Sequence, residues 1–279
     1  MKLIYFSFLV TLIFLSSCQN TYQKNTHQPN LVFAVSDFST GKNRVAFGII
    51  DPVEGSLAPK NVNVQTYFLD GNPNELIDEK IADSYLWPNN KTIFVTELNF
   101  HSPGKWGIGI NISEKVQTSA FIEVKQKSST PNVGEKAIHS ITKSTTKLQE
   151  LQNISSDPNP YLPFYKMTLT EALNSKKPTV LFFTSPGYCK TATCGPQMQV
   201  MKKLHKNISN INFLHVEVYD NPNEIQGNLN NALISQPILD WNLPSEPWTF
   251  LIDSNQIISS KFEGFISEDE LLIHLKSLN

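Results

Sequence analysis

The periodicity of apolar residues changes character once along this chain, and that change restricts it to two architectures joined in series. From Leu31 to Lys125, strand-like runs recur at Leu31–Phe38, Arg44–Ile50, Val62–Leu69, Lys91–Phe100, Lys105–Ile112 and Ser119–Lys125, with a weaker run at Ile81–Leu86. Turn residues separate them, among them Asp51-Pro52, Asp70-Gly71-Asn72-Pro73 and Ser102-Pro103-Gly104. About seven strands with no helical repeat predict an antiparallel β-sandwich over residues 31–126. Trp106 has the bulk to fill its core. This half carries no catalytic cluster and reads as a spacer or partner-binding module.

Residues 127–162 are rich in Ser, Thr, Asn and Pro and read as a linker, part of it laid on a domain surface. From residue 163 to 279, helix and strand patterns alternate. Thr168-Leu169-Thr170-Glu171 is a capping box opening a short helix. Thr179–Thr184 (TVLFFT) is the unbroken apolar run of a strand buried on both faces. Cys194-Gly195-Pro196 opens a second helix, in which Met198, Met201, Leu204 and Ile208 repeat at helical spacing, as core rather than metal ligands. Ile211–Tyr219 predicts another buried strand, Asn221–Leu243 a partly helical stretch, and Trp248–Asp253 with Ile257–Phe262 a hairpin. Ser267 and Glu270 cap a last amphipathic helix running to Leu278, completing the order α-β-α-β-α-β-β-α.

At the start of the chain, Met1-Lys2 precedes an apolar run from Leu3 to Leu15. That run is shorter than the ~20 residues needed to span a hydrocarbon core. Its ending, Leu15-Ser16-Ser17-Cys18, resembles the lipobox of bacterial lipoproteins. The resemblance implies a signal peptide over 1–17, lipid on Cys18, and a polar tether over 18–30. It also implies an extracytoplasmic protein anchored to the bacterial cell membrane or outer membrane. The net charge of −2 and the lack of a basic run argue against a nucleic-acid partner. Of the three cysteines, lipidation of Cys18 leaves Cys189 and Cys194, which in an oxidising compartment read as a disulfide or a redox dithiol.

The element order, Cys194-Gly195-Pro196 at a helix start, and Glu246-Pro247-Trp248-Thr249-Phe250 before the hairpin together resemble the thioredoxin superfamily over Pro163–Asn279. The whole thus reads as a C-terminal α/β thioredoxin fold preceded by an all-β sandwich of immunoglobulin-like type. The resemblance implies a cis peptide at Pro247 beside the cysteines, and Glu246 facing them. The site departs from the family pattern. Gln197 stands where Cys-Gly-Pro-Cys has its second cysteine, Thr193 replaces the usual Trp, and TVLFFT lacks the family's buried Asp. A helix N-terminus favours thiolate at Cys194, and Lys190 adds a charge nearby. Cys194 is therefore expected to attack and Cys189 to resolve, the reverse remaining open.

The expected activity is thiol-disulfide exchange without a cofactor, acting on secreted or envelope proteins that carry thiols or disulfides. Three other readings compete. Ser185-Pro186-Gly187-Tyr188-Cys189 is similar to a peroxiredoxin site, but no arginine follows Arg44 to stabilise a peroxidatic thiolate. Two cysteines with His205, His215 or His274 would suit a Sco-like copper chaperone. A permanent disulfide in a surface binding module is the last.

Overall fold

The computed structural model describes residues 28–113, 116–189 and 193–278. The expected signal peptide, Cys18, most of the expected tether and Lys190 lie outside these residues. No helix among the described residues is long and apolar enough to cross a membrane.

Among the described residues, the N-terminal half holds nine strands: β1 (Asn30–Phe33), β2 (Gly41–Asp51), β3 (Gly55–Ser56), β4 (Asn63–Phe68), β5 (Leu76–Ile81), β6 (Asp83–Trp87), β7 (Lys91–Phe100), β8 (Gly104–Ser113) and β9 (Val116–Val124). They form two antiparallel sheets, β1-β2-β7-β6 with β3 on β2, and β5-β4-β8-β9. Alternating residues of both sheets supply one apolar cluster that includes Val45, Phe47, Val64, Phe94, Leu98, Ile108 and Ile122. Trp106 is fully buried in it, against Phe68 and Phe100, and its indole N–H donates to the Ser102 carbonyl at 2.9 Å. The expected weak run at Ile81–Leu86 divides between two strands. β5 extends back to Leu76, in a sequence (LIDEKI) too exposed and charged to show a buried face.

In the C-terminal half, α1 (Leu169–Asn174), β10 (Thr179–Thr184), α2 (Cys194–Asn207), β11 (Asn212–Glu217), α3 (Gln236–Asp240), β12 (Trp248–Ile252), β13 (Ile258–Glu263) and α4 (Glu268–Leu275) follow the predicted order. The sheet runs β11-β10-β12-β13, with β10 and β11 parallel and the remaining pairs antiparallel. Every residue of β10 is buried, because alternate side chains serve opposite faces. Val180 and Phe182 pack with Met198, Met201 and Leu204 of α2 and Leu271 and Leu275 of α4. Leu181 and Phe183 pack with Leu169 and Leu173 of α1 and Ile238 of α3. This is the thioredoxin fold. Both helix caps lie where the sequence predicts them: Thr168 and Glu171 bond reciprocally as a capping box, and the Ser267 hydroxyl accepts from the Glu270 amide. The stretch Asn221–Leu243 contains little helix beyond α3 and one 3-10 turn at Leu229–Asn231.

The segment between the halves is bound along its length. It forms a β-bridge from Lys136 to Ile257, and it buries Ala137, Leu151 and Ser155. Direct contacts also join the halves. Glu263 of β13 accepts from the Ser36 amide and hydroxyl, both at 2.7 Å, and from the Asp37 amide at 3.1 Å. Gly264 lies so close that a Cβ there would stand 2.9 Å from the Ala34 carbonyl oxygen, and its φ of +77° lies in the left-handed region that favours glycine.

Candidate functional site

Three segments converge at the carboxyl end of the central strand. β10 ends at Thr184 and turns through Ser185–Cys189; α2 begins at Cys194; the loop before β12 carries Glu246 and Pro247. Cys189 and Cys194 form a disulfide with Cα atoms 6.0 Å apart, within the ordinary range for such bonds. The Glu246–Pro247 bond is cis, as the resemblance implied. The structure therefore brings Cys189, Cys194, Glu246 and Pro247 together.

The two sulfurs differ in access. Cys194 is fully buried at the first turn of α2, whereas Cys189, in the preceding loop, is partly exposed. Burial favours the opposite order from the expected one: an incoming group reaches Cys189 first. Cys194 at the helix N-terminus is then placed as a leaving thiolate, and a low-pKa thiol leaves faster.

Glu246 lies over the buried sulfur, its Oε2 3.5 Å from Cys194 Sγ. It accepts from the Ser185 amide at 2.6 Å and from the Ser185 hydroxyl at 2.6 Å. Burial raises its pKa above the usual carboxylate range, and the Ser185 hydrogen bonds only partly oppose this.

A second carboxyl, Glu217 at the end of β11, has no counterpart among the predicted site residues. It is 6% exposed, accepts from the Ser156 amide and hydroxyl at 2.7 and 2.8 Å, and leaves Oε1 without a partner. Burial first, then the nearby charge of Glu246, pushes its pKa up to about 8. Among the described residues neither carboxyl makes an ion pair. The one available signal was a glutamate inside the apolar run Ile211–Tyr219; its partner Ser156 comes from the linker, which no local pattern connects to the site. Ser156 also fixes the cysteine loop. Its hydroxyl accepts from the Gly187 amide at 3.0 Å, and a Cβ at Gly187 would meet the Ser156 carbonyl oxygen at 2.6 Å.

Gln197 has a structural use where the family pattern has its second cysteine. It is fully buried and accepts from the Ile266 amide at 2.9 Å, tying α2 to the loop before α4. The histidines weighed as copper ligands lie apart from the dithiol. His215 is buried with Nε2 2.9 Å from the Thr184 carbonyl and Nδ1 2.7 Å from the Tyr165 hydroxyl. His205 packs on Tyr161 and Phe164, and His274 on Phe262. Among the described residues, the group of potential ligands at this site is Cys189, Cys194 and Glu246. Arg44, the sole arginine, is committed to Glu270.

No protein-family model matches the chain. No curated protein is significantly similar to it. Among solved structures, a proposed thiol:disulfide interchange protein, DsbE, from Chlorobium tepidum superposes with a TM-score of 0.36 at 15% identity, over 53% of this chain and 97% of that one. A thiol:disulfide interchange protein of the thioredoxin family from Chlorobium tepidum TLS gives 0.32 at 14% identity, over 51% and 99%. A Salmonella alpha-2-macroglobulin gives 0.27 at 10% identity, over 42% of this chain but only 7% of that protein.

Proposed function

We propose that this chain is a thiol-disulfide oxidoreductase held outside the cytoplasm by lipid on Cys18, with the immunoglobulin-like sandwich as the spacer between membrane and redox domain. The observation that carries the reading is a disulfide with one accessible and one buried sulfur, the buried one at a helix N-terminus under a carboxyl. An incoming thiolate attacks Cys189 Sγ, forming a mixed disulfide and expelling Cys194 as thiolate. Glu246, 3.5 Å from Cys194 Sγ and with its pKa raised by burial, is placed to relay a proton to that sulfur. A second substrate thiol, losing its proton as it attacks, forms a bond to the substrate sulfur of the mixed disulfide and expels Cys189 as thiolate; the two protons given up by the substrate thiols end on Cys194 and Cys189. Overall two thiols are oxidised to a disulfide while the Cys189–Cys194 pair is reduced to two thiols; the reverse direction follows the same steps backwards.

The test is the reduction potential of the pair, read by thiol trapping and mass spectrometry of the full chain in graded redox buffers. A value near or above about −250 mV is expected for an exchanging pair. A disulfide still intact below about −300 mV would make it a structural staple and overturn the reading.

Glu217 gives a separate signature in stability. Its pKa is about 8 in the folded protein against an ordinary 4.5, so between these values the folded state binds more protons than the unfolded one. Stability is then expected to fall as pH rises through that window. Glu217→Gln, which keeps an acceptor for Ser156, is expected to flatten the slope and to be the more stable form at the alkaline end. Urea midpoints measured across the window check this; equal slopes in the two proteins would refute it.

A further inference from the structure

We infer that the reduced site is a binding site for a thiophilic divalent cation of the zinc class, held by Cys189, Cys194 and Glu246. The three ligand atoms lie within 4.8 Å of one another and come from three separate segments, so the fold, rather than a local loop, assembles them. Two thiolates and a carboxylate suit Zn²⁺, which accepts sulfur and oxygen in a tetrahedral site. Zinc bonds of ~2.3 Å would set the two sulfurs ~3.8 Å apart. Cysteines with Cα atoms 6.0 Å apart can reach that spacing by side-chain rotation once the disulfide opens. Cys189 and Glu246 are both partly exposed, which gives the ion an entry path and leaves a fourth position for water or a partner's ligand.

Charge balance supports the same assignment. The reduced site gathers two thiols and Glu246, and Glu246 makes no ion pair among the described residues, so no described side-chain cation competes with the metal for it. Ser185 already holds the Glu246 carboxyl in place through amide and hydroxyl bonds, as a supporting partner of a ligand should.

A dithiol or phosphine reductant converts the disulfide to two thiols with two electrons and two protons. Zn²⁺ then displaces the two thiol protons to form the dithiolate complex. A disulfide oxidant takes two electrons from the two thiolates and, with two protons from solvent, is itself reduced to two thiols; the Cys189–Cys194 bond re-forms, both sulfur ligands are lost and the ion is released, so occupancy follows redox state. The inference needs only a reduced pair and stands whether or not the pair exchanges with substrates.

The experiment uses the full chain in detergent, reduced with tris(2-carboxyethyl)phosphine and freed of excess, then titrated with Zn²⁺ against a chromogenic chelator. Cd²⁺ serves as a second probe, because its thiolate charge-transfer absorption reports sulfur ligation. The expected result is one ion bound to the reduced chain and none to the same chain left oxidised, a comparison that no folding defect can confound. Glu246→Gln is expected to weaken binding by about tenfold or more. Equal binding by oxidised and reduced chains, or an affinity unchanged by Glu246→Gln, would overturn the site.

Discussion

With Cys194 replaced by serine and Cys189 kept, the protein is expected to stop at a mixed disulfide with a disulfide-bonded peptide, visible as a stable adduct by mass spectrometry. Cys189→Ser is expected to form that adduct more slowly by a factor on the order of 10 or more. The asymmetry follows from access. Cys194 is fully buried beside Glu246, whereas Cys189 is partly open to solvent. Without the Cys194 thiol nothing intramolecular resolves the bond at Cys189, so the adduct persists. The helix N-terminus alone would argue the other way, since it lowers the Cys194 pKa and raises its thiolate fraction. A thiolate that cannot be reached gains nothing from its abundance, so access decides. Faster trapping at Cys194 than at Cys189 would restore the order expected from the sequence.

That outcome illustrates what the sequence could and could not carry. The thioredoxin half was legible because its signals are local. TVLFFT is an unbroken apolar run, Thr168 and Glu171 form their box within one turn, and Glu246-Pro247 precedes its strand directly. The sandwich strands were legible wherever one face is buried. They were lost in β5, where Asp78, Glu79 and Lys80 line a strand at a sheet edge. Cys189 and Cys194 came from the cysteine count, and Glu246 and Pro247 from the resemblance to the thioredoxin superfamily, yet their relative burial did not, because burial is decided by elements far away in the chain. Glu217 was missed for the same reason: a carboxylate in a strand acquires meaning only when Ser156, sixty-one positions earlier, is found to bind it. Gln197 looked like a lost cysteine and is instead a clasp to Ile266, a contact across sixty-nine positions.

Arg44→Met is expected to destabilise the protein by about 3–5 kcal/mol. Arg44 on β2 reaches into the other half of the chain. Its Nε and a terminal nitrogen donate to the two oxygens of Glu270 on α4 at 2.6 and 2.9 Å. The side chains are 13% and 5% exposed, so this pair is largely withdrawn from solvent screening. The Arg44 guanidinium also sits 5.7 Å from the centre of the Phe262 ring. Removing the arginine alone leaves the Glu270 carboxylate buried without its cation, and that uncompensated charge is the source of the cost. The double change Arg44→Met with Glu270→Leu removes both charges and fills similar volume, so it is expected to recover most of the loss. Urea unfolding of the single and double variants measures both quantities. A single-variant cost below about 1 kcal/mol would mean the pair behaves as an exposed one. A full cost with no recovery in the double variant would instead trace the loss to packing of the guanidinium against Phe262.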